Sequence, residues 1–207
     1  MFHTSVTDVP DISTDLYQDV VEFADANPTA AQWFMVHFTE ASIILLGLLL
    51  LFAAWRRLGG SPGDKALVLV VPATVVFAYG LSEGLKLVIT QSRPCQVLTD
   101  VAIVASECPT VGDWSFPSNH STIAGALAAG TYLLHRTLGW YALPIAAFSA
   151  FSRVYVGVHY PHDALVGVIL GATVVLLLAP LLVTPTTNLI RRRTHRSQQP
   201  VPTHTPH

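Results

Sequence analysis

Charge is scarce in this chain: Asp, Glu, Lys and Arg make up 12% of the 207 residues, while the apolar class makes up 51%. So few charged groups cannot cover a water-facing surface, which argues against a soluble globular protein of any domain count. The first 35 residues contain no Lys or Arg and no early apolar run. No cleavable signal peptide is therefore expected, and the first apolar segment is expected to stay as a helix. Only two cysteines are present, Cys95 and Cys108.

The apolar residues gather into five runs, approximately 33–55, 66–90, 118–135, 140–152 and 159–183. A helix needs about 20 residues to cross a hydrocarbon layer of ~30 Å. The fourth run is the shortest and spans only by borrowing residues such as Val154 and Tyr155. Eight of the eleven positive charges lie in three places: Arg56, Arg57 and Lys65 after the first run, Arg136 after the third, and Arg191, Arg192, Arg193 and Arg196 after the fifth. Retention of Lys and Arg on the cytoplasmic side puts these places inside and the N-terminus outside. The acids Asp8, Asp11, Asp15, Asp19, Glu22 and Asp25, and those at Asp100, Glu107 and Asp113, then fall in outer segments. Cys95 and Cys108 share the second of these segments, where an oxidising compartment permits a disulfide.

The remaining cations, Lys86, Arg93 and Arg153, all sit at outer ends of runs, against that rule. Near them are Pro117-Ser118-Asn119-His120, at the start of the third run, and His159 with Asp163, spaced i,i+4 at the start of the fifth. That spacing puts His159 and Asp163 on one helix face. Three cations and the free N–H groups of a helix start capped by Ser118 make an anion site. A neutral imidazole can attack a phosphate held there, with Asp163 hydrogen-bonded to the other ring nitrogen of His159. His120 can protonate the leaving oxygen and then activate water. Electrostatic stabilisation by Lys86, Arg93 and Arg153 needs no metal.

These segments resemble the three signatures of the type 2 phosphatidic acid phosphatase superfamily. Lys86 to Pro94 matches K-x-x-x-x-x-x-R-P, and Ser152 to Asp163 matches S-R-x-x-x-x-x-H-x-x-x-D at every defined position. Pro117 to His120 matches P-S-G-H except that Asn119 replaces Gly. The resemblance implies a phosphohistidine intermediate on His159 oriented by Asp163, acid–base work by His120, and phosphate binding by Lys86, Arg93, Ser118, Asn119 and Arg153, with no cofactor or metal. Asn tolerates a positive φ angle if the turn needs one, and its side chain could reach a phosphate. Asn119, the acidic amphipathic segment near 15–27 and Phe38-Thr39-Glu40 are similar to features of the bacitracin-resistance-type undecaprenyl diphosphatases.

Other polar residues have plainer readings. Glu83 is expected to pair with Lys86 at i,i+3, and His162 to be an interfacial histidine. Glu40 and His37 either shape a diphosphate pocket or are solvated at the interface. Ser152 belongs to a signature, and the plainer reading of its hydroxyl is that it closes a helical turn. Tyr155, Tyr160, Trp33 and Trp114 are expected in the aromatic belt. The expectation is therefore an all-α integral membrane bundle of five transmembrane helices plus a short interfacial N-terminal helix. Its segments are an outer 1–32, a lipid phosphatase domain 33–185 and a basic, disordered cytoplasmic tail 186–207 that binds anionic lipid rather than nucleic acid. The expected reaction converts a polyprenyl diphosphate to the monophosphate and inorganic phosphate at the outer face of the cell membrane. Its runner-up is a lipid monophosphate phosphatase acting on phosphatidate or phosphatidylglycerol phosphate. Rivals of other classes are a transporter or proton relay, a metal hydrolase built on His120, His159 and Asp163, and a non-catalytic lipid-binding scaffold.

Overall fold

The computed structural model describes residues 9–98, 101–105 and 107–197. Asp8, Asp100 and the tail segment 198–207 lie outside the described residues. Among the described residues the regular elements are seven helices: α1 (Asp11–Asp25), α2 (Thr29–Trp55), α3 (Pro62–Val88), α4 (Pro94–Val97), α5 (Asn119–Leu134), α6 (Arg136–Tyr155) and α7 (Pro161–Ser197).

Local chemistry accounts for several boundaries. Pro10 precedes α1 and Asp11 sits in its first turn, so this helix begins four residues before the expected segment. A capping box starts α3: Ser61 Oγ accepts from the Asp64 N–H at 3.2 Å, and Asp64 Oδ2 accepts from the Ser61 N–H at 3.0 Å. Arg57 ties this end together, donating to Asp64 Oδ1 at 2.5 Å and, through Nε, to the Leu134 carbonyl at the end of α5. The short fourth run lies within a helix of 20 residues, because α6 does extend through Val154 and Tyr155. Helix α7 does not stop at 185, so the expected disorder from 186 is incorrect as far as Ser197. Helical geometry runs past Pro185, and there Thr186 and Thr187 donate back to the carbonyls of Leu182 and Val183 at 2.7 Å.

Helix α5 is central, touching α2, α3, α6 and α7. Its composition, Asn-His-Ser-Thr followed by Gly, Ala and Leu, suits that place, since lipid gives helices no hydrophobic reason to associate and close packing must do so. The tightest crossing is with α7, where a Cβ on Gly171 would lie 1.9 Å from the Thr122 carbonyl oxygen and one on Gly125 would lie 2.3 Å from that of Val168. Across α2 and α6, Ser42 and Ser149 share a hydrogen bond of 2.7 Å. Such interhelical bonds contribute roughly 0.6 kcal/mol each. Three helices, α2, α3 and α7, are long and apolar enough to cross a membrane, whereas α5 has only 16 residues.

Helix α1 buries Ser13, Tyr17, Val21 and Ala24 along one stripe and leaves Ile12, Leu16 and Phe23 exposed on the adjoining flank. Tyr17 donates to the Gly157 carbonyl at 2.9 Å. Burial and then the neighbouring Tyr160 push the Tyr17 phenol well above its ordinary value, so it remains a donor. Two members of the expected aromatic belt are in fact core residues: Tyr155 and Tyr160 are buried, and Tyr160 packs on Tyr17 with ring centroids 5.5 Å apart. Helix α1 packs on both, through Tyr17 against Tyr160 and Phe23 against Tyr155.

Candidate active site

The helices deliver the polar residues of the three sequence segments to one end of the bundle. Lys86 lies in the last turn of α3, Arg93 at the N-cap of α4, Asn119 and His120 in the first turn of α5, and Arg153 in the last turn of α6. His159 is on the loop after α6, which turns at Gly157 with φ of 87°, and Asp163 is in the first turn of α7. Lys86, Arg93, Asn119, His120, Arg153 and His159 line a single cavity of about 310 Å³, together with Asp113, Tyr79 and Ile123.

The tautomer of His159 follows from its neighbours. Arg93 Nη1 lies 3.0 Å from Nε2, and because a guanidinium only donates, Nε2 must be a free acceptor and the ring neutral. The single proton is then on Nδ1. A direct bond from Nδ1 to Asp163 is not formed, since Nδ1 and Oδ2 are 3.6 Å apart. Ser115 lies between them: Nδ1–H donates to Ser115 Oγ at 3.2 Å, and Ser115 O–H donates to Asp163 Oδ2 at 2.5 Å. The expected His159–Asp163 pair is thus a three-residue relay.

Asp163 is fully buried and collects further donors. The Tyr160 N–H donates to Oδ2 at 2.9 Å and Gln91 Nε2 to Oδ1 at 3.0 Å, while His162 Nε2 lies 3.0 Å from Oδ1 and donates to Gln91 Oε1 at 3.2 Å. With Ser115 this makes three donors for one carboxylate, which keeps it ionised and fixed. His162 is therefore no plain interfacial histidine. Ser13 of α1 donates to its Nδ1 at 2.7 Å, leaving Nε2–H for Gln91 Oε1, and Gln91 in turn donates to Asp163.

Further expectations are corrected at the cavity wall. Glu83 does not pair with Lys86; it accepts from Asn119 Nδ2, while Ser82 donates to Asn119 Oδ1 at 2.7 Å. Lys86 turns instead to Asp113, with Nζ 3.3 Å from Oδ1. Asn119 needs no positive φ, because it is the first helical residue of α5 and no non-glycine among the described residues has one. Ser118 occupies the N-cap position without a side-chain capping bond; its hydroxyl accepts from Ser121 at 3.1 Å. The Ser152 hydroxyl closes a helical turn, donating to the Ser149 carbonyl at 2.6 Å. Glu40 Oε1 accepts from His120 Nε2 at 3.0 Å and lies 3.8 Å from Arg153 Nη1. His37 stays away from the cavity, packed at a tilt against Trp33 with ring centroids 4.1 Å apart.

Cys95 and Cys108 form a disulfide, with Cα atoms 6.0 Å apart. It anchors the loop that carries Asp113 and Ser115. Three participants, Ser115, Gln91 and Asp113, were missed in the sequence. Ser115 lies two residues before the Pro-Ser-Asn-His segment and Gln91 two before Arg93, yet neither has a defined position in the signatures.

Residues 67–186 match the PAP2 superfamily. The chain belongs to the PAP2 superfamily. It is 33% identical over 141 residues to "Undecaprenyl-diphosphatase BcrC" of Bacillus subtilis, covering 66% of this chain and 69% of that protein. It is 35% identical to "Decaprenylphosphoryl-5-phosphoribose phosphatase" of Mycobacterium tuberculosis, covering 67% of this chain and 71% of that protein. In fold it is similar to the crystal structure of Aquifex aeolicus LpxE, with TM-score 0.59 and 23% identity, covering 84% of this chain and 98% of that one. This PAP2 chain is an all-helical integral membrane protein and a hydrolase.

Proposed function

We propose that this PAP2 enzyme removes the terminal phosphate of a polyprenyl diphosphate at the outer membrane surface. The observation that carries the reading is the neutral His159: its Nε2 faces Arg93 and a cavity also lined by Lys86 and Arg153, and its Nδ1 is held by Ser115 and Asp163. A nucleophile and an anion cage thus share one space.

In the first step His159 Nε2 attacks phosphorus, a P–N bond forms and the P–O bond to the leaving phosphate breaks. Arg93, Lys86 and Arg153 take up the phosphoryl oxygens, and Arg93 must swing its Nη1–H from His159 to an oxygen for the lone pair to be free. Arg153 Nε is buried without a hydrogen-bond partner among the described residues, and an anion in the cavity can satisfy it. The positive charge that develops on the ring is stabilised by Asp163 through Ser115. His120, held by Glu40, gives a proton to the leaving oxygen. It then takes one from water, which attacks phosphorus, breaks the P–N bond and releases inorganic phosphate. No step requires a metal, so activity should persist in chelator.

The name of the Bacillus subtilis relative supports a polyprenyl diphosphate as substrate. The Mycobacterium tuberculosis relative is named for a sugar phosphate on a polyprenyl carrier, which favours a lipid monophosphate as the second reading. Five spans, α2, α3, α5, α6 and α7, would place the cavity outside. Arg57 is bonded at the C-terminal end of α5 and Arg136 begins α6 beside it, at the end of the bundle opposite His120, as retention of positive charge in the cytoplasm requires. Purified protein is to be assayed for phosphate release from polyprenyl diphosphates and glycerolipid phosphates, with His159→Ala as blank. Release from the diphosphates first supports the reading; release from glycerolipid phosphates alone would transfer it to the second.

A further inference from the structure

The cavity contains an anion of its own. Asp113 Oδ1 lies 3.0 Å from Arg93 Nη2 and 3.3 Å from Lys86 Nζ, so two of the three cations that face a substrate phosphoryl group already share a carboxylate. Lys86 and Arg93 are nearly enclosed, whereas the Asp113 side chain is 47% exposed and open to the aqueous side. A carboxylate and a phosphoryl group satisfy Lys and Arg in the same way, through oxygen acceptors of like charge. They cannot occupy the same donors at once.

The backbone holds the carboxylate in place. The loop turns at Gly112, with φ of 99°, and Asp113 N–H donates to the Thr110 carbonyl at 3.1 Å. Gln96 donates to the Pro109 carbonyl at 2.8 Å, and the Ser115 N–H to that of Gln91 at 2.8 Å, so both ends of the turn are pinned. Asp113 is not needed to place Arg93 through its side chain. Arg93 donates from Nε to the backbone carbonyl of Asp113 at 2.8 Å and from Nη1 to that of Val158 at 3.0 Å. Removing the carboxylate leaves both of those bonds.

We infer that Asp113 is a built-in competitor for the phosphate subsite: the substrate's phosphoryl group displaces it, and its return helps expel inorganic phosphate. The inference rests on the phosphatase reading above. Three cations with no resident anion would hold product phosphate as they hold substrate, and turnover would stall on release. A tethered carboxylate weakens both complexes, which costs affinity and favours turnover.

The competing alternative, that Asp113 merely positions Lys86 and Arg93, has the opposite sign. Binding of inorganic phosphate and of orthovanadate is to be measured by calorimetry on the full chain in detergent, for wild type, Asp113→Asn and Asp113→Ser. Removing the charge should lower Kd about tenfold, toward the low end of what close charge pairs supply. In parallel, KM for a polyprenyl diphosphate should fall and kcat should fall with it as release becomes limiting. Either variant suffices if the other does not fold. An unchanged or higher Kd in the folded variant overturns the inference, as does absence of phosphate binding in all three proteins. A wild type that binds phosphate yet hydrolyses no lipid phosphate would instead sink the phosphatase reading, and the Kd comparison would still decide the role of Asp113.

Discussion

Asp163 reaches His159 only through Ser115: the carboxylate oxygen and ring nitrogen are 3.6 Å apart, and the serine hydroxyl is 2.5 Å from the first and 3.2 Å from the second. The proton on Nδ1 and the charge on Asp163 are therefore coupled by a side chain with no defined place in the family signatures.

Replacing Ser115 by Ala removes that coupling without touching the anion cage. The kcat should fall about 10- to 100-fold, equivalent to the roughly 1–3 kcal/mol cost of leaving buried polar groups unsatisfied, with KM nearly unchanged. Ser115→Thr keeps a hydroxyl and should recover part of the loss. A rise in KM at constant kcat would mean that Ser115 acts on binding instead.

His120 and the leaving group are linked in a second prediction. A departing phosphate is easier to expel than an alkoxide and depends less on a general acid, so His120→Ala should cost a lipid monophosphate more than a diphosphate. His159→Ala should abolish both reactions. Equal losses at His120→Ala on the two substrates would remove the support for this role.

The disulfide should matter to the site as well as to stability. Cys95 and Cys108 are 13 residues apart, and closing a loop of that size contributes about 3 kcal/mol in the chain-entropy model. The double Cys→Ser variant should melt at lower temperature in detergent and lose activity as the Asp113 and Ser115 loop loosens. A variant with normal melting and turnover would show that the loop is held without it.

The α5–α7 crossing leaves no space for a side chain at Gly171. Because a Cβ there would lie 1.9 Å from the Thr122 carbonyl oxygen, Gly171→Leu must push the helices apart. Overpacking costs of about 1–3 kcal/mol or more should appear as lost folded yield on size-exclusion chromatography, while Gly47→Leu, beside open space, should be tolerated.

The residues that sequence reasoning placed well are those whose chemistry is unusual for their position. Lys86, Arg93 and Arg153 broke the charge rule, and His159 and Asp163 stood four residues apart; the fold brings them together, although His159 sits on the loop before α7 and not on the same helix face as Asp163. What remained hidden depends on which side chain fills a gap between elements. Ser115, Gln91 and Ser13 are ordinary polar residues whose bonds to His159, Asp163 and His162 form only when α1, the outer loop and α7 converge. Glu83 illustrates the same limit: the i,i+3 spacing to Lys86 is correct, but Asn119 from α5 is the partner that the packing provides. Helix α1 likewise reads as amphipathic, yet periodicity alone does not show that Tyr17 and Ser13 brace Gly157 and His162.

Covalent capture of the phosphoryl group tests the central claim most directly. After a rapid quench of purified enzyme turning over a polyprenyl diphosphate labelled with phosphorus-32 in its terminal phosphate, the chain should carry label that survives alkali and is lost in acid. The label should map to the His159 peptide and be absent from His159→Ala. Turnover by a wild-type enzyme that traps no label under these conditions, or label on any other residue, would contradict attack by His159.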